Sequence, residues 1–131
     1  MKTIKVFVER ASDGTFSAYM PEQSLNFGAI GEGKTAADAM NDFMNVVNDY
    51  VSDGETLPPG AEFAFCYDVP SFLAYYKNKI TLTGLGALTG INPKQLNHYV
   101  TGVRKPSPST VKKIEKSLHE FGKELSQLEF A

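Results

Sequence analysis

One cysteine, Cys66, is all this chain has. An internal disulfide is therefore excluded, and a reducing cytosol is the compartment expected of it. Cys66 itself reads as a small apolar strand residue, because no readable motif supplies a base to activate it. Zinc-type spacing is missing too: His98 and His119 have no ligand-spaced partner among histidines or cysteines. No metal and no cofactor are expected. Long apolar runs are also lacking. The opening MKTIKVFVER starts like a secretory leader, but Lys5, Glu9 and Arg10 interrupt its apolar core. No stretch approaches the ~20 residues that a membrane helix needs, so no membrane partner is expected. Internal repeats and low-complexity linkers are absent.

The charges are divided unevenly. Residues 1–70 carry four cations against eleven carboxylates, a balance of −7, and residues 71–131 carry nine cations against four carboxylates, a balance of +5. The total of −2 conceals this split. It points to two modules with different partners, a polyanion for the C-terminal half and something basic for the N-terminal half. Acidic loops that only confer solubility explain the first half adequately and the second half less well. Length allows two modules of about 65 residues, each with a modest core. The boundaries expected are 1–68 and 69–131.

The richest stretch is Leu82 to Ser109, LTGLGALTGINPKQLNHYVTGVRKPSPS. A short helix over Leu82–Thr89 turns Leu85 and Leu88 inward, and Gly86 sits where two helices pass closely. Gly90 is the turn residue, where a positive φ is needed. Ile91 fills the angle, Asn92 caps a second helix, and Pro93 occupies its first turn. In that helix Leu96, Tyr99 and Val100 recur at the spacing of one buried face. Lys94, Gln95, Asn97, His98 and Thr101 face outward, all able to hydrogen-bond base edges or phosphates. Gly102 ends the helix, followed at once by Arg104 and Lys105. A helix over Pro70–Tyr76 precedes the pair, with Phe72, Leu73 and Tyr76 inward. A longer one follows from the Ser107 cap and Pro108, with Val111, Ile114, Leu118 and Phe121 inward and Lys112, Lys113 and Lys116 outward. The end of the chain keeps Leu125, Leu128 and Phe130 close together, which points to a contact between copies.

These residues resemble the lambda-repressor/Cro-like (Xre-type) helix-turn-helix family, above all GINPKQLNHYVTGVRKPSPSTVKKIEKSL with its Gly-x-Arg-Lys-Pro-Ser exit. The resemblance implies operator binding by a dimer on a palindrome. Lys94, Gln95, His98 and Asn97 are then the candidate base contacts, and Thr101, Arg104 and Lys105 the candidate phosphate contacts. A solvated helix face without DNA is the bland alternative, and it leaves the clustered cations unexplained.

The N-terminal half reads as a small α+β unit of order β-β-β-α-β. Thr3–Glu9 alternates with Ile4, Val6 and Val8 on one face, and Ser12-Asp13-Gly14 is a hairpin turn. Thr15–Met20 groups Phe16, Ala18 and Met20, and Phe27–Ile30 supplies a short third strand. Thr35 caps a helix, with Asp38 supporting the same end. Its buried stripe is Ala36, Met40, Phe43, Val47 and Tyr50. After Asp53-Gly54 and Pro58-Pro59-Gly60, Ala61–Asp68 is a last strand with Ala61, Phe63, Phe65 and Tyr67 on one face.

The runs VFVERASDGTFSAYMPE and NFGAIGEGKTAADAMNDFMNVVNDY resemble the HicB antitoxin domain, a reduced relative of the ribonuclease H fold. Residues 22–30 depart from the leucine-proline-glycine turn of that family. Joined to a C-terminal helix-turn-helix, the resemblance covers nearly the whole chain. It implies an antitoxin that binds and blocks a small basic HicA-like toxin, an RNA-cleaving protein, while repressing its own operon as a homodimer or higher homo-oligomer. Charge alone nominates Glu9, Asp13, Glu22 and Glu32 as toxin contacts. A stand-alone repressor, with the N-terminal half used for oligomerisation or sensing, is the alternative.

Catalysis is not expected. A two-metal nuclease needs carboxylates converging from several strands, whereas only Glu9 and Asp68 end candidate strands. The glycine runs Gly28-x-x-Gly31-x-Gly33 and Gly84-x-Gly86 do not follow a strand in a βαβ unit, so they mark turns or close packing rather than a nucleotide site.

Overall fold

Side chains two apart share one face of a strand, and this alternation sets the first element. In the computed structural model, which describes residues 2–131, β1 runs Lys2–Arg10 with Ile4, Val6 and Val8 fully buried. The hairpin that follows is built as its sequence dictates. Asp13 accepts hydrogen bonds from the Thr15 N–H at 2.9 Å and the Thr15 hydroxyl at 2.6 Å, and Gly14 takes φ +86°. Strand β2, Phe16–Tyr19, returns antiparallel to β1, pairing Phe7 with Tyr19 and Glu9 with Ser17.

The third strand is not where apolar alternation places it. Leu25, Phe27 and Ala29 are buried, but in a loop, and β3 is Ile30–Gly33. The reason is a close approach. Helix α1, Ala36–Ser52, crosses directly above β3, so the strand beneath it requires residues without side chains. A Cβ on Gly31 would lie 2.2 Å from the Ala39 carbonyl oxygen and 2.3 Å from the Phe43 nitrogen, and one on Gly33 would lie 2.5 Å from the Asp38 Cβ. Both glycines are close-packing residues.

Thr35 caps α1 as expected, its hydroxyl accepting from the Asp38 N–H at 3.0 Å. The buried stripe is Ala36, Ala39, Phe43 and Val47. Ala39 takes the centre that Met40 was expected to hold, because only a small residue fits above Gly31. Tyr50 is largely exposed and stacks on Phe27, ring centroids 4.5 Å apart. Phe43 is fully buried and meets Phe63 and Phe65 edge-on at 5.9 and 6.4 Å. Those two belong to β4, Ala61–Tyr67, which lies parallel to β1 from Lys2↔Ala61 to Val8↔Tyr67. The sheet order is β3-β2-β1-β4, and α1 is the crossover that packs on one face of it.

Asp68 closes this unit. One carboxylate oxygen accepts from the Arg10 N–H at 2.9 Å, and the other accepts from the Ser71 N–H at 2.8 Å. It thereby ties the end of β1 to the start of α2, Val69–Tyr76. Val69, Ser71 and Leu73 are the buried residues of α2, while Phe72 and Tyr76 are half-buried. Ala74 packs against the sheet's core, and Tyr75 stacks on Tyr67. The chain divides into two compact units between Tyr75 and Tyr76, so most of α2 groups with the sheet rather than with the helices that follow.

The second unit contains α3, Leu82–Thr89, α4, Pro93–Thr101, and α5, Pro108–Ser126. Its core is Leu85, Leu96, Tyr99 and Ile114. Leu118 and Phe121 are half-buried, but Val111 is 39% exposed rather than inward. A unit this small has one layer to bury, and Ile114 fills it one turn after Val111. Leu125, Leu128 and Phe130 are exposed, Phe130 at 92%.

The approach of α1 to β3 yields a paired prediction. Gly31→Ala should cost at least about 3 kcal/mol, the upper range for overpacking, because the obstructing atoms are backbone. Gly28→Ala, where an added Cβ meets nothing within 4 Å, should change stability by less than about 0.5 kcal/mol. Urea unfolding of the two variants checks both.

Candidate nucleic-acid interface and acidic sheet surface

The turn between α3 and α4 is held by local chemistry. Thr81 caps α3, accepting from the Gly84 N–H at 3.0 Å. At the other end Gly90 takes φ +75°, and its N–H donates to the Gly86 carbonyl at 2.8 Å. A Cβ on Gly86 would lie 2.8 Å from the Ile91 oxygen and 3.1 Å from Pro93 Cγ, so the bare backbone there lets the chain fold back. Thr89 is a structural residue that apolar periodicity does not single out. It is buried, donates to the Leu85 carbonyl at 2.8 Å, and accepts from the Ile91 N–H at 3.2 Å. A threonine directly before a turn glycine is the only signal that could have found it. Asn92 then caps α4, its side chain accepting from the Lys94 N–H at 2.9 Å.

With Leu96 and Tyr99 buried, the rotation of α4 is determined, and Lys94, Asn97 and Thr101 fall on an exposed face at helical spacing. Gln95 and His98 flank that face, half-buried. Gln95 donates through its side-chain nitrogen to the Tyr99 hydroxyl at 3.2 Å, and His98 Nδ1 is buried without a hydrogen bond. That ring nitrogen takes no part in an outward contact. Thr101 donates to the Asn97 carbonyl at 3.1 Å, which offers its lone pairs outward and holds its proton in the helix. Gly102, at φ +80°, ends α4, and the Arg104 N–H fastens the exit by donating to the His98 carbonyl at 3.2 Å. Arg104 and Lys105 are exposed immediately beyond. The fold therefore gathers all seven nominated residues onto one helix and the turn after it. Lys112, Lys113 and Lys116 are exposed on α5, Lys116 lying 4.0 Å from Glu120. Such an exposed pair contributes little.

The four nominated acids of the first unit separate into two groups. Glu9 and Glu32 lie in one row across the sheet, since Glu9 pairs with Ser17 and Ser17 with Glu32. Glu9 is half-buried and accepts a hydrogen bond from the Tyr19 hydroxyl, which raises the Tyr19 pKa above the usual phenol value. Glu32 is exposed, and its N–H donates to Asp42 at 2.9 Å. Asp13 is elsewhere, at the hairpin tip. The Thr15 hydroxyl and N–H hold its carboxyl below the usual carboxylate range. Glu22 is exposed in the loop after β2. Among the described residues, no group of three or more His, Cys, Asp or Glu side chains is placed to share a metal ion. No helix among them is long and apolar enough to cross a membrane.

Residues 76–120 match the helix-turn-helix family model. The match contains all of α3 and α4, the turn between them, and two-thirds of α5. Comparisons with curated proteins and with solved structures returned no match. The chain is thus an α+β protein whose C-terminal unit is a helix-turn-helix of the kind that DNA-binding transcriptional regulators carry.

Proposed function

We propose that the chain is an antitoxin of the HicB kind, with a DNA-reading unit at its C-terminus and an acidic toxin-binding unit at its N-terminus. The observation that carries this is the element order. A β-β-β-α-β unit with a one-sided helix precedes a helix-turn-helix, and the two units carry opposite charge. The toxin is a small basic HicA-like protein that cleaves RNA, and the antitoxin blocks it by covering its active surface. No catalysis by this chain is involved, and the work is done in the cytosol. Two copies place α4 in successive major grooves of a palindromic operator. Lys94, Gln95, Asn97 and His98 read bases there, and Thr101, Arg104 and Lys105 hold phosphates.

A stand-alone repressor is the second reading. It is favoured by the family match, which reaches the DNA-binding unit only. Co-expression with any small reading frame that adjoins this gene separates the two. A stable complex with a product that is toxic when expressed alone supports the antitoxin. Absence of any complex, with specific promoter binding intact, leaves the repressor.

Two substitutions test the interface. Arg104→Ala should weaken binding to operator and random DNA alike and flatten the log–log salt dependence by roughly one unit, as loss of one phosphate contact does. Lys94→Ala should instead cost about 1–3 kcal/mol of discrimination at one base pair, if it reads a guanine edge. Fluorescence anisotropy titrations over a salt series check both. Equal losses on operator and random DNA would remove Lys94 from the base-reading set.

A further inference from the structure

We propose that a basic protein partner docks on the face of the sheet turned away from α1, gripping an apolar row and an acidic row that run side by side across the strands. The proposal deepens the antitoxin reading and rests on it. Register defines the first row. Ile30 pairs with Tyr19, Tyr19 with Phe7, and Phe7 with Cys66, so the row spans all four strands. Two residues further along, Glu32, Ser17 and Glu9 form the second row.

An antiparallel pair with one face on the core ordinarily presents polar residues on the other. Here Ile4, Val6, Val8, Phe16 and Ala18 already fill the core side, yet the opposite side is apolar through its middle. Phe7 and Tyr19 meet edge-on at 6.1 Å, both half-buried, and Ile30 is 63% exposed. Depressions lie at both ends of the row. One, of about 210 Å³, is lined by Phe7, Glu9, Cys66, Tyr67 and Asp68. The other, of about 340 Å³, includes Tyr19, Glu22, Phe27 and Ile30. Side-chain anchors of a partner are seated in such hollows.

Charge selects the occupant. The strands place Glu9, Glu32 and Glu62 on this face, against Lys5. Nucleic acid is repelled by that balance. A second copy applied face to face would bring together two surfaces of the same negative balance, which is unfavourable. An arginine or lysine from a partner satisfies both rows at once. Its apolar stem lies on Phe7 and Tyr19, and its charge meets Glu9 and Glu32. Glu9 is already positioned, because the Tyr19 hydroxyl holds its carboxylate against the sheet. Less ordering is then left to occur on binding.

The experiment uses the whole chain together with any small basic protein whose reading frame adjoins its gene. Cys66, the only cysteine, lines one hollow and reports on the face without any substitution. Its alkylation by a small maleimide, read at that site by mass spectrometry, should slow at least about tenfold when the partner is bound. The pair Ile30→Ser with Glu32→Lys should weaken the complex by about thirtyfold or more, the loss that removing a hot spot brings. Asp49→Lys, on the wet side of α1, should leave it within twofold. Retained operator binding and an unchanged unfolding midpoint show that the paired variant is folded. A complex that forms with Cys66 unprotected and the paired variant at full affinity overturns this surface and leaves the antitoxin standing. No complex with the unaltered chain overturns both. Protection of Cys66 that rises with the concentration of the chain alone marks the face as a contact between copies, and that too overturns the proposal.

Discussion

The contact between α1 and β3 governs the first unit. Gly31 lies so close to the Ala39 oxygen and the Phe43 nitrogen that one added carbon could not be accommodated. With backbone against backbone, α1 cannot slide or rotate, because interiors this dense have no slack to give. Phe43 is then driven into the space between Phe63 and Phe65, and the crossover from β3 to β4 is pinned. A helix held this tightly on one face also leaves the sheet with a second face. The rows of residues on it are determined by strand register rather than by any loop.

What could be read in advance was what is local. Thr35, Asn92 and Ser107 cap their helices, and Gly90 and Gly102 adopt positive φ, because caps and turns depend on residues two to four apart. Strand parity at Ile4, Val6 and Val8 was legible for the same reason. The errors came from long-range contacts. Leu25, Phe27 and Ala29 alternate like a strand and are indeed buried, but strand pairing was taken by Ile30–Gly33, whose glycines look unpromising until a helix is placed over them. Met40 outranks Ala39 in hydrophobicity, yet the centre of the stripe belongs to the residue that fits. Charge alone could not tell Asp13, occupied by its own turn, from Glu9 and Glu32, which pairing through Ser17 brings into one row.

In the second unit the order of dependence runs from backbone to side chain to groove. Gly86 and Gly90 let the chain reverse, and Thr89 satisfies the half-buried Ile91 N–H inside that reversal. Leu96 and Tyr99 then decide which way α4 faces. The outward set is left with unequal freedom. Lys94, Asn97, Arg104 and Lys105 are exposed, while Gln95 and Thr101 already spend donors within α4. Gln95 keeps its second side-chain N–H and its side-chain oxygen, since the bond to Tyr99 uses only one of its two donors.

A chain of net charge −2 is an improbable DNA ligand if total charge is what counts, and it is not. At physiological salt a charge further than about 8 Å from a phosphate is largely screened. Affinity is set by cations that reach the backbone and release its counterions, not by the sum over the molecule. The cations around α4 and along α5 lie within one unit, and the excess of carboxylates belongs to the other. Segregation of this kind leaves the C-terminal unit with a net positive balance of its own, which the total for the chain conceals.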